Sequence, residues 1–206
     1  LPALATELAG LKVDVLVALD PPSSRAAIGA TRTIPIVLRT GRDPVAEGIV
    51  ASLAHPGGNV TGLYSLYSEL NGKRLELLKE AFPAVSRVML LWNPEYRGEQ
   101  DQLQDAVGAA RKLGLHPLPA PVNKTADFES AFKAAAKERA GGMLVLRTPL
   151  MVGNMALIIK LAASSQLPAI YDEAAYVDAG GLMSYGASLT EIYSRAAHYV
   201  DKILKG

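Results

Sequence analysis

The chain has 206 residues, 50% of them hydrophobic and 20% charged, and it contains no cysteine. One large domain or two small ones can bury enough apolar surface at this length to fold without staples, so disorder, disulfides, thiolate metal sites and cysteine nucleophiles are excluded. Twenty-one Lys and Arg against 20 Asp and Glu, interspersed along the chain, leave a net charge of +1 and argue against nucleic acid or an anionic membrane as the main partner.

Short apolar runs alternate with helical stretches from end to end, the pattern of a parallel sheet whose strands are buried on both faces. The first residues, Leu1 to Ala9, read as an amphipathic helix and lack the basic start and long apolar core of a signal peptide. Strands are predicted at Val13 to Leu19, Ile34 to Arg39, Val60 to Tyr64, Val88 to Trp92, Met143 to Leu146, Ala169 to Tyr171 and Leu182 to Tyr185, with a proline-rich extended piece at His116 to Val122. Helices are predicted over Glu69 to Phe82, Glu99 to Leu113 and Ser188 to Leu204. Ser23 or Ser24, Asp43 before Pro44, Asp127, and Ser188 with Glu191 are candidate helix starts, and Gly114 and Gly206 stand where helices should stop. The run from 88 onward makes a complete βα series, whereas the earlier part opens on a helix and offers few strands.

Neither a dinucleotide fingerprint nor a phosphate-binding loop occurs, and Gly57-Gly58-Asn59-Val60-Thr61-Gly62 leads into a strand with no helix start behind it, which makes it a tight turn. Asn59-Val60-Thr61 matches the short glycosylation pattern that chance alone supplies. His55, His116 and His198 are too scattered for a metal site, and no serine sits in a nucleophile elbow. No catalytic residue, metal ligand or cofactor is therefore expected.

A polar or small residue recurs immediately after each buried strand, where a parallel sheet presents its ligand-binding edge. Those tips are Asp20 to Ser24, Thr40 to Asp43, Asn93 to Tyr96, Arg147 to Pro149, and Asp172 with Glu173. Hydroxyls and free N–H groups at helix starts suit a carboxylate, an acidic side chain suits an ammonium, and tyrosines stack on flat groups.

The strings Thr33-Ile-Pro-Ile-Val37, Leu53-Ala-His-Pro-Gly-Gly-Asn-Val-Thr-Gly62, Asn93-Pro94, Leu167-Pro-Ala-Ile-Tyr171 and Ala179-Gly-Gly-Leu-Met-Ser-Tyr-Gly186, in this order, resemble the substrate-binding proteins of ABC transporters, of the type associated with tryptophan and other aromatic amino acids. The resemblance implies an α/β type I periplasmic binding protein fold: two Rossmann-like lobes with parallel sheets, three crossovers and a ligand cleft between them. It places residues 1–64 with 186–206 in a first lobe and 65–185 in a second. Crossovers fall near Gly62 to Tyr67 and Tyr185 to Ser188, and the last helix packs on the first lobe. It further implies a chain truncated at both ends, a signal lying upstream, a location in the periplasm or on a lipoprotein anchor, and delivery of a small molecule to a membrane permease without chemistry. An incomplete first-lobe sheet is then expected to expose an apolar edge or to self-associate.

Ser23, Ser24, Thr40 and Gly41 are expected to hold a ligand carboxylate. Asn93, Tyr96, Thr148 and Asp172 approach from the second lobe, with Asp172 or Glu173 countering an ammonium and Tyr64 or Tyr96 stacking. Asp20, with Pro21 and Pro22, and the Thr148-Pro149-Leu150-Met151 tip depart from the family's usual residues. The alternative reading is a ligand-sensing module of a signalling protein with the same fold.

Overall fold

The computed structural model describes residues 1–40, 43–64, 70–96 and 99–206. Gly41, the helix start at Glu69 and the far part of the Gly62 to Tyr67 segment lie outside the described residues. The chain forms two compact units, Leu1–Leu66 with Ala187–Gly206 (unit 1) and Tyr67–Gly186 (unit 2).

Unit 1 carries α1 (Pro2–Gly10), β1 (Leu16–Ala18), α2 (Pro21–Ala30), β2 (Ile36–Thr40), β3 (Val60–Tyr64) and, from the end of the chain, the last helix (Leu189–Lys205). Its strands pair in parallel in the order β1-β2-β3. Alternation divides the side chains between two faces. Leu16, Ala18, Ile36, Leu38 and Val60 pack with Ala27 of α2, and Val37 and Leu63 pack with Ile192 and Ala196 of the last helix. Val17 on the short edge strand β1 remains 51% exposed, and Leu4 and Leu8 of α1 are also exposed. Gly62 is required by close approach: with φ at +148°, a Cβ there would lie 1.9 Å from the Leu38 carbonyl oxygen.

Two predicted starts shift. The cap of α2 is Asp20, whose Oδ1 accepts the Ser23 N–H at 2.9 Å, and Pro21 at the first position supplies the preset φ. Ser23 and Ser24 fall inside the first turn. Asp43 opens a turn, its Oδ1 accepting from the Val45 and Ala46 N–H groups, and no helix follows. Ser188 caps the last helix as expected, accepting the Glu191 N–H.

Unit 2 is a doubly covered parallel sheet. In chain order it contains α3 (Leu70–Ala81), β4 (Arg87–Trp92), α4 (Glu99–Lys112), β5 (His116–Pro121), a 3-10 turn (Thr125–Asp127), α5 (Phe128–Lys137) and β6 (Gly142–Val145). It continues with α6 (Pro149–Gly153), α7 (Met155–Ser164), β7 (Ala169–Tyr171), α8 (Ala174–Asp178) and β8 (Met183–Ser184); the last helix of the chain is α9. The strand order is β5-β4-β6-β7-β8. Val88, Leu90 and Trp92 of β4 face Leu75, Leu78 and Leu103 of α3 and α4, while Met89 and Leu91 face Phe128, Phe132 and Ile158 from α5 and α7. The near-continuous apolar strands follow from this two-sided burial.

Strand β5 reads His-Pro-Leu-Pro-Ala-Pro and sits at an edge. In the parallel register alternate residues donate inward, as His116 does to the Ser86 carbonyl, so Pro117, Pro119 and Pro121 fall where the N–H would point away from β4. The prolines thus cost no ladder bond and block a further strand. Gly114 ends α4 in the left-handed region at φ +70°, with Leu115 N–H closing back to the Ala110 carbonyl.

Candidate functional site

A parallel sheet aims its strand C-termini and the following helix starts at one edge, and ligands settle where the strand order reverses. In unit 2 that reversal lies beside β4: the chain leaves β4 to form β5 on one side and returns to place β6 on the other. The residues that follow β4 and β6 are Asn93, Arg147 and Thr148, and those that follow β7 are Asp172 and Glu173.

Arg147 is the centre of this edge. Its Nη1 donates to Asp172 Oδ2 at 2.8 Å and contacts Glu173 Oε1. The Arg147 side chain is 23% exposed, against 1% for Asp172 and 8% for Glu173. The carboxylates therefore form the inner layer and the guanidinium the outer one. Buried charges persist only when paired, and the pairing here joins the ends of two neighbouring strands, β6 and β7.

Glu99 lies under the same edge in the first turn of α4, fully buried, with Oε1 lacking a hydrogen-bond partner. The helix N-terminus favours its carboxylate by a few tenths to about 1 kcal/mol. Burial and the neighbouring charge of Asp172 act the other way and win, pushing its pKa up to about 8, so it is a neutral acid at pH 7. Tyr171 and Tyr176 stack below Asp172 with centroids 4.4 Å apart and an interplanar angle of 8°. Burial raises both phenols, Tyr171 to about 12, so both remain neutral donors.

Arg74 of α3, buried, fixes the end of the unit. Its Nε donates to the Tyr185 carbonyl at 2.7 Å and its Nη1 to Asn71 Oδ1 at 2.6 Å. Gly186 follows with no room for a side chain, because a Cβ would stand 1.8 Å from the Asp172 carbonyl oxygen.

The other expected site residues of unit 2 are engaged locally. Asn93 Oδ1 accepts the Glu95 N–H at 2.9 Å in an Asx turn, and Tyr96, half-buried, donates its N–H to the Asn93 carbonyl. Thr148 is the buried cap of α6, its Oγ1 accepting the Met151 N–H at 3.3 Å.

In unit 1 the strand register carries Thr40 and Tyr64 to the same edge as Asp20. Thr40 is buried and Tyr64 half-buried. The Ser23 hydroxyl donates to Asp20, with Oδ2 at 2.7 Å, and the buried Ser24 hydroxyl donates to the Ala18 carbonyl at 3.1 Å. The Ser23 hydrogen thus serves the start of α2 and the Ser24 hydrogen the end of β1. Asn59 Nδ2 donates to the Ile34 carbonyl at 2.8 Å, so the glycosylation pattern sits on an amide used to hold the turn.

Sequence reasoning set Arg147 on a strand tip without giving it a role, and it missed Glu99 and Arg74 as parts of the edge. The signal for Arg147 is present: a charged residue directly after the predicted apolar strand Met143 to Leu146 has its backbone at the sheet edge and no apolar reason to be there. Glu99 and Arg74 read as ordinary helix residues, and only the packing shows that they are buried. An apolar depression of about 290 Å³ in unit 2, lined by Ile159, Leu167, Pro168, Tyr171 and Leu182, is distinct in composition and offers no charged group.

Among the described residues, no group of three or more His, Asp or Glu is placed to hold a metal ion, and no helix is long and apolar enough to cross a membrane.

Comparison with known proteins gives this edge its context. A tyrosine-binding protein of Clostridioides difficile (strain R20291) is 28% identical over 207 residues, spanning 99% of this chain and 58% of that protein. The chain thus covers less than two thirds of the curated relative it matches. A conserved domain protein from Vibrio cholerae O1 biovar eltor, solved by crystallography, is 31% identical with a TM-score of 0.81, over 100% of this chain and 70% of that one. An ABC domain from Streptococcus pneumonia in complex with L-Trp has a TM-score of 0.82 at 22% identity, covering 100% of this chain and 68% of its own, and shows the fold alone. The α/β architecture of parallel sheets is that of periplasmic binding proteins. The family profile described as ABC transporter substrate binding protein matches residues 1–206, and the chain belongs to that family.

Proposed function

We propose that this chain is the ligand-holding part of a solute-binding component of an ABC importer, and that its cargo is a small molecule, an amino acid or a related aromatic or carboxylate ligand. The observation that carries this reading is the concentration of buried, paired charge at the strand-order reversal of unit 2, in a chain of the substrate-binding family. A structural core has no need of three charged side chains at one sheet edge, whereas a polar ligand does. Units 1 and 2 serve as two lobes, and the ligand is held between their C-terminal strand edges. Ser23, Ser24, Thr40, Gly41 and Tyr64 belong to the first. Asn93, Tyr96, Thr148, Asp172 and Glu173 belong to the second. A tyrosine-binding relative and an L-Trp complex of the same fold support an aromatic amino acid as the first ligand to try. The bound molecule passes to a membrane permease outside the cytoplasmic membrane, and the protein performs no chemistry on it.

A thermal-shift screen of the 20 amino acids and a set of aromatic acids against the chain tests the proposal. A ligand present at about a hundredfold over its Kd stabilises by about 2.7 kcal/mol, a shift of several degrees. The expected result is stabilisation by at least one aromatic member; a flat screen contradicts the reading.

A further inference from the structure

We propose that ligand binding at the edge of unit 2 is coupled to release of the Glu99 proton, which exchanges for a positively charged group of the ligand, an ammonium, beside Asp172. The inference rests on the binding reading above, concerns unit 2 by itself, and names the charge of the group that this edge takes.

Unpartnered oxygens carry the argument. Asp172 gives Oδ2 to Arg147 at 2.8 Å and keeps Oδ1, which is buried and has no hydrogen-bond partner. Glu99 Oε1 and the Tyr176 hydroxyl are also buried and unpartnered, and both residues lie within the field of the Asp172 charge. Buried polar atoms are nearly always satisfied in a folded protein, so three such oxygens linked through one carboxylate point to a ligand group that donates. An ammonium brings three N–H donors, and Oδ1 lets it pair with Asp172 while Arg147 stays on Oδ2. A ligand carboxylate would meet mostly acceptors there.

Charge balance then asks the proton to leave. Among the described residues this corner sets two guanidiniums, Arg147 and Arg74, against two carboxylates, Asp172 and Glu173. Arg74 belongs to it because a side chain on Gly186 would meet both its guanidinium and the Asp172 carbonyl. Glu99 is the third acid, fully buried and neutral at pH 7, with its pKa pushed up to about 8 by burial and by Asp172. One more positive charge unbalances the set where solvent screens little, and Glu99 restores the balance by ionising. The same cation cancels the Asp172 field that helps to hold the proton, so the coupling has the sign of release.

The other charged groups on the elements around Glu99 are engaged or remote. Asp101 and Asp105 on its own helix are exposed, and Arg111 and Lys112 stand at the far end of that helix. On α3, Lys73 pairs with Glu76, and Arg74 is bound to Asn71 and the Tyr185 carbonyl. His116 of β5 lies at the opposite end of the sheet, beside Arg87. Arg97 lies outside the described residues.

Calorimetry at about pH 7.5, run in phosphate and in Tris, tests the coupling, because buffers of different ionisation heat reveal the protons exchanged on binding. The probes are L-tyrosine and L-tryptophan, tyramine and tryptamine, which keep the ammonium, and 3-(4-hydroxyphenyl)propionate and indole-3-propionate, which lack it. The expected result is release of a sizeable fraction of one proton with the ammonium-bearing probes that bind, and none with the two acids. The Kd of the amino acids should fall as pH rises toward about 8, by up to about tenfold per unit, and level off above. Glu99→Gln, which cannot ionise, should remove the buffer difference and flatten that profile; the wild-type comparison stands even where this variant fails to fold. Binding without a buffer difference, proton uptake, or equal release in Glu99→Gln overturns the inference and leaves the binding reading standing. No heat with any of the six probes also overturns the inference, and a flat amino-acid screen beside it takes the binding reading down as well.

Discussion

The two units present strand ends of the same kind and use their polar residues differently. In unit 1 the edge is built from capping chemistry: Asp20 holds the first turn of α2 and the serine hydroxyls point back to Asp20 and to the Ala18 carbonyl. In unit 2 the edge is built from buried charge, with Arg147 between Asp172 and Glu173 and a protonated Glu99 beneath. A capping bond contributes about 1 kcal/mol and leaves its oxygen able to accept again. A buried ion pair is costly to break and fixes a direction of charge. Unit 1 therefore offers an adaptable acceptor surface, and unit 2 a preset electrostatic one.

Removing one partner from the ion pair is the strongest way to break this contrast. Arg147→Met is expected to destabilise unit 2 by about 3 to 5 kcal/mol through the two carboxylates left behind, seen as a lowered denaturant midpoint. Adding Asp172→Asn and Glu173→Gln should restore most of that loss, which a purely steric role of the arginine would not allow. Gly186→Ala comes next. Its Cβ would stand 1.8 Å from the Asp172 carbonyl oxygen, so the backbone must move, at about 3 kcal/mol.

Glu99 supplies a pH signature confined to unit 2. Its folded-state pKa, about 8, lies above the ordinary 4.5, so the folded protein holds a proton that the unfolded chain has released. Stability should accordingly fall as pH rises from about 5 to about 8, by up to about 1.4 kcal/mol per pH unit, and level off above. Glu99→Gln should flatten that slope in chemical denaturation series. At the small end, Asp20→Ala should cost unit 1 about 1 kcal/mol, the loss of a cap. If Asp20→Ala proved as damaging as Arg147→Met, the contrast between the two edges would collapse.

Much of the architecture was legible because a parallel strand buried on both faces is written as an unbroken apolar run, as in Val88-Met-Leu-Leu-Trp92 and Met143-Leu-Val-Leu146. The proline-rich stretch of β5 was readable as extended, and its place at the edge follows from the missing N–H groups. Helix starts were less legible, since Ser23, Ser24 and Asp20 are all competent caps. The residue before proline decides it in α2 and α6, where Asp20-Pro21 and Thr148-Pro149 both start helices, yet Asp43-Pro44 gives a turn. The edge as a whole was legible from the tips that follow each strand. Which tip residues spend their hydrogen bonds inward was not, because a hydroxyl's direction depends on the cap around it. The burial of Glu99 and Arg74 was hidden for the same reason, as a charged residue on an amphipathic helix gives no sign of which face meets the sheet edge.

The central claim is that ligand is held at the C-terminal strand edges, and amide chemical shifts under titration with L-tyrosine or L-tryptophan test it most directly. The account predicts that perturbed amides gather at Asp20, Ser23, Ser24 and Thr40 of unit 1 and at Asn93, Glu95, Tyr96, Arg147, Thr148, Asp172 and Glu173 of unit 2. Perturbation centred instead on the depression lined by Ile159, Leu167 and Leu182, or spread with no focus, would contradict it.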